Sequence, residues 1–172
     1  MSDRNSSHTK HSRDQRSNRR DPLLPPQALA LPVGEAIAWL KRAYGPVIDL
    51  ALSREATNPL VPAADLPSAL HSPVHDLGDA SWLKQATIVG INIRTVGTFW
   101  RVIHYTLTLS PLVDTIHLLP IWEPGVAASL YGMASWQLNP GFFDRELHRA
   151  FAYLDSAERQ LRAVVHILHA TG

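Results

Sequence analysis

The second half of the chain contains the clearest pattern of apolar segments. Residues 87–93 form a nearly continuous, β-branched apolar run, which is typical of a strand buried on both faces of a parallel sheet. Apolar residues then recur at helical spacing over 99–107, behind Thr98 as a predicted N-cap. Residues 115–119 predict a second buried strand, which Pro120 ends. Strand, helix and strand with short connections predict a βαβ unit.

Two further helices are predicted beyond this unit, over 142–153 and 156–170. Asp155 and Glu158 match an Asp-x-x-Glu variant of the capping box, and Gly172 stands where a C-terminal helix cap belongs. The apolar stripe of the last helix is predicted to consist of Ala157, Leu161, Val164, Val165 and Leu168. In such an alternating pattern the next element is a third strand, so we expect the α/β domain to be unfinished within this sequence.

The first half divides into a tail and a short helical extension. Residues 1–32 are polar, basic and then rich in proline, which predicts a disordered tail and a stiff linker. Residues 33–86 are predicted to hold a short amphipathic helix over 34–44, a break at Pro46 and one or two further turns, followed by a loop over 57–79. The α/β unit then occupies 87–172.

Composition excludes several classes of function. The net charge is +1, so the whole molecule has no field that favours nucleic acid or an anionic membrane. The basic tail could be a nucleic-acid arm, but no aromatic residue interleaves its basic residues, and we predict no nucleic-acid partner. With no cysteine there is no disulfide, thiolate nucleophile or Cys-ligated zinc. No signal peptide or membrane-spanning run is present, which predicts a cytoplasmic protein.

The most informative segment is 121–140, which leaves the carboxyl end of the second predicted strand, where α/β proteins build their sites. A connection of this length is often functional. It combines aromatic rings with carboxylate and amide groups, which suits a sugar, whose C–H face stacks on rings while its hydroxyls need hydrogen-bond partners. The predicted substrate-binding residues are Tyr131, Trp136, Trp122 and Glu123. The alternative is that these rings pack the loop against the fold.

Other candidate chemistry is weak. Asp144 and Glu146 lie in an early helix turn, where acids cap helices and favour the helix dipole. The spacing His71-x-x-x-His75 followed by Asp76 resembles a metal site but lacks a further ligand at a fixed offset. His117 is predicted to be a hydrogen-bonded core residue or to face a barrel interior. We predict no metal, no cofactor and no catalytic residue in this sequence, which also lacks phosphate-binding and nucleophile-elbow motifs.

Three short motifs follow one another in this half of the chain. They are Ile116-His117-Leu118-Leu119-Pro120, Tyr131-Gly132 and Leu138-Asn139-Pro140-Gly141-Phe142-Phe143. Together they resemble the second strand and following loop of the α-amylase family of glycoside hydrolases, with the sucrose-phosphorylase-like and amylosucrase-like branches nearest. Aligned on Pro140, Ala134 and Ser135 stand where the family usually has Asp-Tyr.

The resemblance implies a (β/α)₈ barrel that acts on α-linked glucosides by a retaining double displacement. Its carboxylates lie on the fourth, fifth and seventh strands of the family, beyond the resemblance. The expectation is therefore an incomplete barrel with strands one and two, predicted to be inactive alone, with hydrolysis, phosphorolysis and transfer all open for the family protein. The alternative is a small, non-enzymatic α/β module that associates with itself.

Overall fold

A computed structural model describes residues 31–57, 67–71 and 80–172. Nearly all of the predicted disordered tail, most of the predicted loop over 57–79, and His75 and Asp76 lie outside the described residues. The described part is a mixed α/β structure with six α-helices and two sheets of two strands each. None of its helices combines the length and the apolar character that a membrane crossing requires.

The first sheet is parallel and consists of β1 (Ile88–Ile91) and β2 (Thr115–Leu118). In its register Ile88 lies beside Thr115 and Ile91 beside Leu118. Asp114 fixes the start of this pairing, because its carboxylate accepts hydrogen bonds from the Thr87 amide at 3.1 Å and the Thr115 hydroxyl at 2.8 Å. Both strands, and their parallel pairing, agree with the βαβ unit that the apolar pattern predicts.

Two helices connect these strands. α3 (Ile93–Val96) is a single turn that begins where the sequence predicts the end of the strand, because the Asn92 side chain accepts a hydrogen bond from the Arg94 amide. α4 (Phe99–Thr106) follows, and the Thr98 hydroxyl caps it by accepting from the Arg101 amide. The predicted cap at Thr98 is therefore confirmed, whereas the predicted strand over 87–93 is too long at both ends.

Before the sheet, α1 (Val33–Tyr44) and α2 (Val47–Thr57) form a helical pair. The chain turns between them at Gly45, whose φ of 78° lies in the left-handed region that glycine adopts most readily, and at Pro46. α2 has 11 residues, so the expectation of one or two turns is wrong. Its buried side chains at Ile48, Ala51 and Leu52 explain the extra length, because packing against the rest of the core stabilises helix beyond local propensity.

After the sheets, α5 (Arg145–Ala150) and α6 (Ala157–Thr171) follow a short 3₁₀ turn over Pro140–Phe142. The predicted helix over 142–153 is wrong in extent, because the Asp144 carboxylate accepts from the Glu146 and Leu147 amides and starts the helix there. The predicted capping box is also wrong. Ser156 caps α6 by accepting from the Arg159 amide, and Asp155 instead lies 3.7 Å from the Arg159 guanidinium.

The buried face of α6 is rotated from the predicted stripe. Leu161, Val165 and Leu168 are only half-buried. The fully packed positions are Gln160, Ala163, Val164, His166, Ile167, Ala170 and Thr171. Three of these are polar. Gln160 is buried because its side chain bridges the backbone of Asp144, at 2.7 and 2.8 Å, and the Leu154 carbonyl at 3.2 Å.

A buried charged cluster joins α2 to α6. Glu55 is 1% exposed, and its carboxylate accepts from the Arg162 guanidinium at 3.0 Å and lies 3.7 Å from His166 Nε2. Burial, reinforced by electrostatic repulsion from the neighbouring side chains of His169, Arg54 and Arg162, lowers the pKa of His166 to about 4. His166 is therefore neutral in the folded protein at pH 7.

Helices pack against one face of the β1–β2 sheet, and the other face is exposed. Val89, Ile91, Ile116 and Leu118 pack into the core that also contains α4 and α6 side chains. On the opposite face Ile88 is 48% exposed, and Gly90 and His117 are exposed as well. A core position for His117 is therefore wrong, because the strand alternation turns this residue away from the helices.

Candidate functional site

The segment 121–140 contains an antiparallel hairpin rather than the predicted loop. β3 (Trp122–Pro124) pairs with β4 (Met133–Leu138), with Trp122 opposite Leu138 and Pro124 opposite Met133. Three residues oppose six over this stretch, so the pairing contains an irregularity that bends the ribbon. The Asn139 amide extends the pairing by donating to the Ile121 carbonyl at 2.9 Å. The expectation of a long loop is therefore wrong for the two paired strands, and only residues 125–132 between them remain a loop.

Gly125 allows the two strands of the hairpin to approach each other closely at Gly132. The Gly125 amide donates to the Gly132 carbonyl at 2.6 Å. A Cβ atom built on Gly125 would lie 2.9 Å from that carbonyl oxygen, closer than side chains approach in practice. Only glycine therefore fits this crossing point. We call residues 125–132 the tip loop.

The two indoles of the hairpin form an exposed aromatic pair. Trp122 and Trp136 lie with ring centroids 5.7 Å apart at an interplanar angle of 72°, an edge-to-face contact. Trp122 is half-buried, whereas Trp136 is 74% exposed. The contact thus holds one ring in place while leaving a face of its neighbour open to solvent.

The acidic residue of the hairpin is oriented by a cross-strand bond. Glu123 Oε2 accepts a hydrogen bond from the Ser135 hydroxyl at 2.9 Å. Alternation along the strands places Glu123 and Ser135 on one side of the ribbon and Trp122 and Trp136 on the other. The structure therefore separates the predicted carboxylate from the aromatic pair within the same hairpin.

Tyr131 lies in the tip loop and is 76% exposed. Its ring takes no part in the contact between Trp122 and Trp136. Of the four residues predicted from the sequence, the hairpin brings together the two tryptophans, and Glu123 and Tyr131 lie apart from them on the same ribbon. Asn139 shapes the exit from the hairpin, because its side chain accepts from the Gly141 amide.

The position of the hairpin follows from the sheet. β2 runs into Leu119 and Pro120, and β3 begins two residues later, so the hairpin leaves the carboxyl end of the parallel strands. At the same end of β1, Arg94 Nη1 donates to the Ala128 carbonyl of the tip loop at 2.6 Å. The sequence does not predict this role of Arg94, because an exposed arginine just after a strand carries no signal of a partner 34 residues away.

Within residues 31–57, 67–71 and 80–172, no three His, Asp or Glu side chains lie close enough together to hold a metal ion. The hairpin presents an open aromatic ring on one side and the Glu123 carboxylate, bonded to Ser135, on the other. Comparison of the chain with protein-family models, with curated proteins and with solved structures found no match.

Proposed function

We propose that the chain is part of an α-amylase-family protein and that its hairpin binds α-linked glucosides. The observation that supports this most is the exposed Trp136 ring, held edge-to-face by Trp122 at the carboxyl end of a parallel sheet. A rigid, open indole stacks on the C–H face of a glucose ring with little loss of side-chain entropy on binding. Tyr131 adds an exposed ring in the tip loop of the same ribbon, whereas Glu123 faces the opposite side and lies outside this stacking surface.

The sheet supports the barrel part of this proposal. In a (β/α)₈ barrel, helices cover the outer face of each strand and the inner face meets other strands. Here the helix-covered face holds Val89, Ile91 and Ile116, and the opposite face, with Ile88 and His117, is open. In the described part of the chain no third strand joins β1 or β2. This arrangement fits the first two strands of such a barrel.

The proposal assigns sugar binding to this chain and leaves bond cleavage unassigned. Glycoside hydrolysis in this family needs two carboxyl groups flanking the scissile bond. The only acidic side chain of the hairpin is Glu123, which bonds Ser135 on the side of the ribbon opposite the tryptophans. We therefore expect no hydrolysis of aryl α-glucosides or sucrose by these 172 residues.

Calorimetric titration with maltoheptaose tests the binding role. Trp136→Ala should weaken affinity by about tenfold or more, corresponding to about 1.4 kcal/mol of lost stacking. Leu112→Ala is the matched control, because Leu112 is 77% exposed but lies between α4 and β2, outside the hairpin. Cellohexaose serves as the β-linked comparison. Equal binding of maltoheptaose by the wild type and Trp136→Ala, or no binding by either, refutes the proposal.

The open sheet face favours a second candidate function, self-association. Ile88 presents an apolar side chain on that face, and both β1 and β2 have an outer edge that no described strand pairs with. Unpaired strand edges readily accept another chain. In this reading the protein is a non-enzymatic module, and a defined dimer with a cooperative thermal transition would favour it over the sugar-binding proposal.

A further inference from the structure

The tip loop is attached to the parallel sheet by one long-range side-chain bond. Arg94 Nη1 donates to the Ala128 carbonyl at 2.6 Å, across a sequence separation of 34 residues. A guanidinium donor makes this a charge-assisted bond, which is shorter and stronger than one between neutral groups. The loop itself has exposed residues at Val126, Ala127 and Ala128, so burial contributes little to its position.

The Arg94 end of this bond is anchored. Ile93, the preceding residue, is 2% exposed and belongs to the main core. The Asn92 side chain accepts from the Arg94 amide, and the Gly97 amide closes the turn by donating to the Ile93 carbonyl at 2.7 Å. The backbone that carries the guanidinium is therefore fixed directly at the end of β1.

The Ala128 end is conformationally unusual. Ala128 has a φ of 51°, the only positive φ at a non-glycine residue in the described part of the chain. Its amide donates to the Gly125 carbonyl at 2.8 Å, which closes a turn, and its own carbonyl accepts the bond from Arg94. The Arg94 bond to that carbonyl compensates for a backbone conformation that alanine rarely adopts.

We infer that Arg94 is a positioning residue, which fixes the tip loop to the end of β1 and thereby holds the hairpin in its sugar-binding orientation. This inference rests on the proposed function for its second half only. Arg94 does not need to touch the sugar. Its effect passes through the tip loop to β4, which carries Trp136.

Hydrogen exchange measured residue by residue on the full chain tests the attachment without any ligand. Arg94→Met should raise the exchange rates of the Ala128 and Gly125 amides by about tenfold, because loss of a bond to a charged group frees the loop. Arg94→Lys, which keeps a cationic donor, should restore part of the protection. Arg145→Met, at an exposed arginine of α5, is the charge-matched control and should leave both rates unchanged. Unchanged exchange in Arg94→Met overturns the inference.

Maltoheptaose affinity then tests the positioning role. Arg94→Met should weaken binding several-fold, and combined with Trp136→Ala it should add little to the effect of Trp136→Ala alone, because both changes act through one ring. Additive effects, or an unaffected affinity, overturn the positioning role. If the wild type binds no maltoheptaose, the proposed function fails, and the exchange experiment still decides whether Arg94 fixes the loop.

Discussion

Gly125 shows how one residue determines whether the aromatic pair can form. Its backbone crosses that of Gly132 so closely that a single added carbon would meet the carbonyl oxygen at 2.9 Å. The opposing atom belongs to the backbone, so it cannot rotate away as a side chain would. The separation between the two strands, and with it the contact of Trp122 with Trp136, depends on this position.

We predict that Gly125→Ala separates the strands at the tip loop and destabilises the hairpin by about 1–3 kcal/mol, as overpacking typically does. The indoles, now 5.7 Å apart, are close enough for their electronic transitions to couple, so their joint circular-dichroism signal should weaken. Gly90→Ala is the control, since a Cβ there meets nothing within 4 Å. An indole signal that survives Gly125→Ala would show that the crossing tolerates a side chain.

At the scale of elements, the sequence predicts those parts of the fold whose apolar pattern is continuous. β1, β2 and α4 are correctly expected because β-branched runs and a regular helical stripe leave few alternatives. The hairpin is missed because β3 is only three residues long and β4 places Ala134, Ser135 and an exposed Trp136 where a buried strand would alternate apolar residues. The contact between Trp122 and Trp136 and the close approach of Gly125 to Gly132 hold the strands together. The spacing of apolar residues along the sequence does not predict either contact.

The predicted buried face of α6 differs from the observed one for a related reason. Because Gln160 and His166 are polar, the sequence predicts that they are exposed, but Gln160 is buried through three hydrogen bonds to backbone groups. His166 is buried against Glu55 of α2. A polar side chain can occupy the core when its partners are also there, and those partners lie far away in sequence. For the candidate site, residue types indicated Trp122 and Trp136 separately, while their contact and the role of Arg94 are visible only in the structure.

The α2–α6 junction should weaken in acid. His166 has a pKa lowered from 6.5 to about 4 by burial and by the charges of His169, Arg54 and Arg162. Its Nδ1 is buried without a hydrogen-bond partner in the described part of the chain, so an imidazolium there would have an unsatisfied donor. The unfolded chain takes up the proton first as the pH falls, and stability is therefore lost progressively between about 6.5 and 4.

We predict that this loss reaches about 1–3 kcal/mol, because the Glu55 carboxylate, 3.7 Å from His166 Nε2, stabilises an imidazolium and offsets part of the effect of burial. Urea unfolding at a series of pH values measures it. His166→Gln should flatten the pH dependence over this window, because the substituted residue does not titrate, even if it lowers stability at pH 7. His117→Gln, which replaces an exposed histidine outside the α2–α6 junction, is the matched control and should retain the loss that arises at His166. The same slope in the wild type and His166→Gln would disprove the assignment.

At the scale of the whole molecule, the two faces of the β1–β2 sheet differ in burial, and this difference bears on how the chain associates. The helices cover one face, while the other exposes Ile88, Gly90 and His117. Among the described residues, this face leaves apolar side chains in water, and the outer edges of β1 and β2 leave backbone N–H and C=O groups without a neighbouring strand. In the barrel proposal further strands cover this face, and in the self-association proposal a second copy does.

Both proposals predict that the isolated 172-residue chain associates with itself as its concentration rises. Ile88→Lys should suppress this association, because a charge on the open face opposes both apolar burial and edge pairing. Sedimentation velocity over a concentration series measures the effect, and Leu112→Lys, which adds the same charge to an exposed leucine outside the sheet, is the control.

A wild type that stays monomeric throughout, or an Ile88→Lys variant that associates as strongly as Leu112→Lys, would show that this face is not the contact surface. A defined wild-type dimer favours the self-association module, whereas heterogeneous assemblies that Ile88→Lys disperses favour an incomplete barrel, since open edges accept any strand that reaches them.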